Sequence, residues 1–177
     1  MKKSVAPSTL LSPVPNVLVS VGDMKESNII TIGWTGIVCS DPPRTYVSIR
    51  GNRFSHAIVS KTKEFIINLV PESLLAAAKF CGSRSGRDTD KFAQTGLTKA
   101  VAQKVRCPVI AESPLSMECK VFSAMDLGSH TLFLADIVAV SVDEKYLDGG
   151  KVDLDAMGVT CYIPGGAFAA VKPISAR

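Results

Sequence analysis

Apolar and polar positions alternate along much of the chain with a period of two, the spacing of a half-buried β-strand. Asn16 to Val21 alternates in this way and closes on Gly22-Asp23. Met24 to Asn28 then leads into Ile29 to Trp34, a run rich in β-branched residues, so the two segments predict a hairpin. Thr35 to Ser40 extends the pattern as far as Asp41-Pro42-Pro43, which reads as a hard stop, and Thr45 to Arg50 is another alternating strand. After Gly51-Asn52 the pattern changes. Ser55 is placed to cap a short helix through Ser60, its hydroxyl accepting from amides two or three residues on. Glu64 to Val70 reads as a buried strand, and Pro71-Glu72-Ser73 opens an Ala- and Leu-rich helix that ends near Cys81-Gly82. Ser83 to Asp90 is a polar loop, and Asp90 to Thr95 supplies one or two helical turns closed by Gly96. Met117 to Met125 and Thr131 to Val142, joined by Asp126-Leu127-Gly128-Ser129, predict a long antiparallel hairpin. Beyond Asp148-Gly149-Gly150 the chain reads as irregular up to a turn at Pro164-Gly165-Gly166. Short strands with a few interposed helices, and no regular strand-helix alternation, predict a mainly β domain. A closed antiparallel barrel with peripheral α-helices fits better than a doubly wound parallel sheet.

Composition adds bounds to this picture. The 177 residues suit one domain, 1–177, with 1–12 as an extended arm, and 46% hydrophobic against 20% charged residues is ordinary for a full core. The most apolar stretch, Thr131 to Val142, is broken by Asp136 and is shorter than a membrane span. No apolar signal core follows the basic residues at the N-terminus, so the expected location is cytoplasmic, with no membrane partner. The net charge of +4 is spread along the chain without a basic stripe, which argues against nucleic acid. Five cysteines without Cys-x-x-Cys spacing, and two histidines, predict buried reduced thiols and no metal site.

The candidate chemistry begins with absences. The sequence has no Gly-x-Gly-x-x-Gly, no phosphate-loop lysine motif, no Gly-x-Ser-x-Gly and no His-x-x-x-His, which points to chemistry carried by a cofactor the chain positions. Three patches are candidates for holding it. Asn28, Thr31, Gly33, Trp34, Thr35 and Gly36 put polar groups, flexible backbone and the only tryptophan at a strand end; a core tryptophan before a turn is the other reading. Arg50, Arg53, Ser55 and His56 bring two guanidinium groups to a helix start, either an anion site or a solvated basic turn. Cys81 to Phe92 is a basic, glycine-containing loop that could wrap an anion with Lys91 at its end, or an ordinary surface loop. His130 precedes a very apolar strand, where a charged imidazole is costly and a hydrogen-bonding role is favoured.

In order along the chain, several segments resemble the flavin reductase-like family, the FMN-binding split barrels, and within it the flavoredoxins. They are Asn28 to Pro43, Arg53-Phe54-Ser55-His56, Glu64 to Leu69, Cys81-Gly82 with Ser85 to Phe92, and Gly128-Ser129-His130. The resemblance implies an antiparallel Greek-key split barrel, a homodimer and bound FMN that passes electrons between a small-molecule or protein donor and an acceptor. It implies that Trp34, Thr35 and Gly36 contact the ribityl chain, and that Asn28, Ser55, Lys91 and His130 lie near the isoalloxazine ring. It assigns the phosphate to Arg50, Arg53 and the helix start at Ser55, and offers Tyr162 as an aromatic cover for the ring. His130 and Lys91 are then the candidate catalytic groups. Members that use nicotinamide nucleotides commonly have Gly-Asp-His where this chain has Gly128-Ser129-His130, a departure that favours an electron carrier. A barrel that only carries flavin, or that binds haem or a phosphorylated vitamin, is the alternative.

Overall fold

The computed structural model describes residues 1–174. Its elements run β1 (Val14–Pro15), β2 (Val17–Gly22), β3 (Ser27–Ile32), β4 (Thr35–Ser40), β5 (Pro43–Arg50), α1 (Phe54–Thr62), β6 (Glu64–Leu69), α2 (Leu75–Ser83) and α3 (Lys91–Thr95). They continue with β7 (Lys99–Ala100), β8 (Val109–Ile110), β9 (Leu115–Asp126), β10 (His130–Val142), β11 (Leu147–Asp148), β12 (Lys151–Val152), β13 (Thr160–Ile163) and β14 (Ala167–Ala170). Residues 1–12 have no regular structure and are exposed.

Seven strands form one antiparallel sheet in the order β3-β2-β6-β9-β10-β5-β4. Connectivity then forces closure. The sheet's two edges, β3 and β4, are consecutive in sequence and joined only by Gly33-Trp34. Three Cα steps reach about 11 Å at most, whereas the edges of a flat seven-stranded sheet would lie roughly 29 Å apart at about 4.8 Å per strand. The sheet must therefore roll into a barrel whose split lies between β3 and β4. The crossover from β5 to β6 by way of α1, with the β9–β10 hairpin inserted between them, gives the Greek-key order.

Alternation decides which side chains fill the barrel. Val17, Val19 and Val21 of β2, Val47 and Ile49 of β5, Phe65 and Ile67 of β6, and Phe133 and Ala135 of β10 form its core, with Val59 of α1. β2 is buried on both faces. Its opposite side, through Leu18, joins Ile29, Leu74, Ala78, Cys81 and Phe92 in a second cluster beneath α2 and α3. Asn68 crosses this layer fully satisfied: Nδ2 donates to the Leu18 carbonyl at 3.0 Å, and Oδ1 accepts from Ser116 Oγ at 2.8 Å and from the Ile110 amide at 3.2 Å.

The structure departs from the sequence reading in four places. Arg53, not Ser55, occupies the cap position of α1, with extended backbone and no side-chain cap bond, and the helix runs two residues past Ser60 to Thr62. Ser55 instead turns inward to Asn28, because a buried partner outcompetes local capping. Pro71 is followed by a 3-10 turn over Glu72–Leu74 before α2 begins at Leu75. Pro43, read as part of a stop, begins β5, which leaves the chain's turn to residues 41 and 42. The segment read as irregular after Gly150 contains β13 and β14, which pair with each other and with β1. These strands are only two to four residues long, too short for periodicity to register.

Four of the five cysteines are buried and Cys39 is half-buried. Burial pushes the Cys81 thiol up to about 11, the Cys107 thiol up to about 12, and Cys119 higher still. The folded state thus holds these protons more tightly than the unfolded chain, whose thiols lose theirs near 9.0. Stability contributed in this way is complete below that pH and falls as pH rises through the window. Lys91, held below the usual lysine range chiefly by burial, acts in the opposite sense, but three thiols face one amine. Urea unfolding followed across the alkaline range should give a midpoint that declines from about pH 9 upward. A flat profile would contradict the burial of the thiols.

Candidate functional site

Where β3 meets the N-terminus of α1 and the loop before α3, three clefts share Arg53 as a common wall. The first, about 130 Å³, is lined by Asn28, Ser55, Arg84, Arg87 and Lys91 among others. The second, about 180 Å³, lies between Thr31, Gly33, Trp34, Arg50 and His130. The third, about 460 Å³, extends from Thr31 and Gly33 to Tyr162 and Phe168. Among the described residues, no acidic side chain lines any of the three. Arg50, Arg53, Arg84, Arg87 and Lys91 therefore converge on the first two clefts without a carboxylate among their lining residues.

Asn28 on β3 is 4% exposed and its Nδ2 donates to Ser55 Oγ at 2.8 Å. The Ser55 hydroxyl accepts this bond and retains its own proton for a further acceptor. Lys91, at the first residue of α3, is 4% exposed, and its Nζ donates to the carbonyls of Ile29 and Cys81, both at 2.7 Å. An ammonium has three protons, so one is left for the cleft. Buried cations are tolerated when paired or fully bonded, and here the two carbonyls supply dipoles but no compensating charge. An anion or a carbonyl-rich ring in the cleft would complete the shell.

The second cleft is set by the closing connection of the barrel. The Trp34 carbonyl accepts from the Ser48 amide at 2.9 Å, which fixes the connector against β5 and leaves the indole 37% exposed beside Arg50 and Arg53. His130 lies opposite Arg50 in the β5–β10 register. Its Nδ1 is 2.8 Å from Ser129 Oγ, and burial together with Arg50 holds the imidazole below its usual range, which favours its neutral form.

Of the residues singled out in the sequence, Asn28, Thr31, Trp34, Arg50, Arg53, Ser55, Lys91, His130 and Tyr162 all border these contiguous clefts. Thr31 also donates Oγ1–H to the Ala78 carbonyl at 2.5 Å, tying β3 to α2. Three residues lie elsewhere. The Thr35 hydroxyl is buried and donates to the Tyr46 carbonyl at 2.5 Å, and Gly36 packs against the Tyr46 ring. His56 Nε2 bonds Thr131 Oγ1 at 2.8 Å with the ring edge-on to Phe133.

Sequence reasoning missed two features. Phe168 faces Tyr162 across the β13–β14 register, ring centroids 5.2 Å apart, a pairing hidden in a tail read as irregular. Gly86 is the second. A Cβ built there would lie 2.3 Å from Asn28 Oδ1, so only glycine lets the loop seat itself against that amide.

The chain belongs to the flavin reductase-like domain family, whose model matches residues 10–155. An uncharacterised protein of Pyrococcus abyssi is 31% identical over 145 residues, 82% of this chain and 83% of that one. The flavoredoxin of Desulfovibrio vulgaris (Miyazaki F) superposes with a TM-score of 0.91 at 32% identity, covering 100% of this chain and 97% of that one. An FMN-binding protein from Thermus thermophilus shares the fold, with a TM-score of 0.83 at 23% identity over 100% and 97% of the two chains. The mainly β split barrel is thus the family's architecture. No described helix is long and apolar enough to cross a membrane.

Proposed function

We propose that the chain binds FMN in the clefts around Arg53 and passes electrons through it from a reduced nicotinamide or a protein donor to an acceptor. The observation that carries this reading is the convergence of Arg50, Arg53 and Lys91 with Asn28, Ser55 and Trp34 on adjoining clefts that, among the described residues, no acid lines. That donor set fits the cofactor. Arg50 and Arg53 would hold the phosphate, since guanidinium forks match phosphate oxygens. Asn28, Ser55 and Lys91 have unused hydrogen-bonding capacity suited to the ring's polar edge, with His130 beside them as a neutral hydrogen-bonding group. Trp34 would flank the ribityl chain, with Thr35 and Gly36 contributing backbone only, since the Thr35 hydroxyl is already bonded. Tyr162 would cover the ring from the third cleft. When bound, FMN supplies reversible one- and two-electron chemistry. The free proton of Lys91 makes it the group that would offset negative charge on the reduced cofactor, and Ser129 would orient His130.

Titration of the purified protein with FMN, followed by quenching of flavin fluorescence, tests the reading; saturation at one FMN per chain is expected. Failure to bind FMN would end it. Stopped-flow mixing of the loaded protein with NADH, NADPH or a reduced iron–sulfur protein would then identify the donor. Ser129, whose hydroxyl stands beside His130 where the family resemblance puts an acid in nicotinamide-using members, favours an electron carrier reduced by a protein donor over direct use of a nicotinamide.

The same reading includes a homodimer. Inward-facing Val47 and Phe133 leave Tyr46, Leu132 and Leu134 on the outer face of β5 and β10, flanked by Val38, Phe122 and Met125, each about half exposed. Arg44 braces this face through Asp136 at 2.8 Å and lies over the Phe122 ring at 4.5 Å. Sedimentation velocity should report a dimer for the native chain and a monomer for Leu134→Glu, because a desolvated carboxylate cannot be accommodated in an apolar contact. A native monomer would refute the dimer.

A further inference from the structure

A cleft larger than any of the three around Arg53 lies beside them. It measures about 680 Å³ and lies between the β2–β3 turn, the outer side of α1 and the loop ahead of α3. It shares Phe54, Gly86 and Arg87 with the first cleft, so the two spaces meet at a common partition. Its walls are of two kinds. Phe54 and Ile58, four residues apart on α1, supply an apolar strip. Lys25, Lys61 and Lys99 supply ammonium groups, and Arg87 stands at the partition.

The charged groups of this cleft are not equally free. Among the acids, the Asp23 carboxylate accepts from the amides of Lys25 and Glu26, both at 2.8 Å, and the Asp90 carboxylate caps α3 by accepting from the Ala93 amide at 3.1 Å. Arg106 is paired with Glu64 at 3.1 Å. Arg87 is anchored, donating to the Asn52 carbonyl at 3.1 Å while it lies over the Phe54 ring at 5.9 Å. Lys99 reaches the Met24 carbonyl at 3.4 Å. Lys25 and Lys61 have no side-chain partner among the described residues, and Glu26 and Asp88 are the acids left uncommitted. The Ser27 hydroxyl, in the wall of the same cleft, is buried without a hydrogen-bond partner.

We propose that this cleft is a second ligand site, for a small organic anion with an apolar body. Its carboxylate or phosphate would be held by Lys25, Lys61 and Arg87, and its body would lie along Phe54 and Ile58. The shared partition puts such a ligand next to the first cleft, yet the site does not depend on what that cleft holds. A volume of about 680 Å³ lies within the range of small-molecule sites. The apolar strip distinguishes the ligand from a bare inorganic ion.

Benzoate is a suitable probe, with benzyl alcohol as its neutral counterpart. Both would be titrated into the isotopically labelled full chain, with and without FMN, and followed through backbone amide resonances. Saturable benzoate binding is expected, with the largest shifts at residues 25–27, 54–61 and 87, and at least fivefold weaker binding of benzyl alcohol. The double variant Lys25→Gln, Lys61→Gln should weaken benzoate at least fivefold while leaving the FMN titration unchanged; both lysines are exposed, so the fold is retained. Shifts confined to the clefts around Arg53, competition between benzoate and FMN, equal binding of the neutral probe, or an unaffected double variant would each overturn the proposal. Absence of FMN binding with intact benzoate binding would instead count against the flavin reading alone.

Discussion

Arg53→Ala should weaken FMN binding by roughly 10- to 150-fold, the equivalent of the about 1.5–3 kcal/mol carried by a hydrogen bond to a charged group. The argument rests on position. Arg53 precedes α1 in extended backbone, makes no cap bond and borders all three clefts, so its side chain belongs to the space and not to the scaffold. It is exposed, and the thermal midpoint should move little. Arg53→Lys separates charge from shape: it retains the cation but loses the fork, and an intermediate affinity is expected. Fluorescence titration of the three proteins decides the matter. Equal affinity in all of them would mean that the phosphate is held elsewhere.

Gly86→Ala should lower FMN affinity by about tenfold or more, since 1.4 kcal/mol suffices for a factor of ten. The added methyl would meet Asn28 Oδ1 at 2.3 Å and Cγ at 2.5 Å. Asn28 cannot easily yield, being buried and bonded to Ser55. The loop must therefore lift, carrying Arg84 and Arg87 away from the first cleft. Because the cost falls on a polar loop outside both core clusters, the midpoint of urea unfolding should change far less than the affinity. A crystal structure of the variant with the loop unmoved, or unchanged FMN affinity, would contradict this account.

Both predictions concern residues whose importance was unequally visible along the chain. Arg53 stood out because two guanidinium groups precede a hydroxyl at a helix start, although the hydroxyl itself was misassigned. Local capping rules favoured Ser55 as cap; the fold instead offered it Asn28 from β3, and a buried partner won. Gly86 gave no distinctive signal. Its requirement is a close approach between segments 58 residues apart in sequence, and no local pattern encodes that distance. Lys91 was legible as a basic residue ending a basic loop, but its bonds to the carbonyls of Ile29 and Cys81 were not, since each carbonyl comes from a different element. Thr35, Gly36 and His56 sit in the same short segments as cleft residues but do not line the clefts, and the Thr35 and His56 side chains are bonded elsewhere.

What the sequence determined by itself was the longer strands and helices and the order of basic and aromatic segments along them. Period-two alternation and glycine or proline punctuation are properties of neighbours, readable wherever an element is long enough to repeat. The tertiary structure decided closure and convergence. A two-residue link between opposite sheet edges rolls the sheet into a barrel, and that rolling brings β3, the start of α1, the loop before α3 and the β10 strand end around one set of clefts. Contacts between distant segments depend on where the whole sheet curves, which is why the residues could be nominated one by one but their meeting could only be seen in the fold.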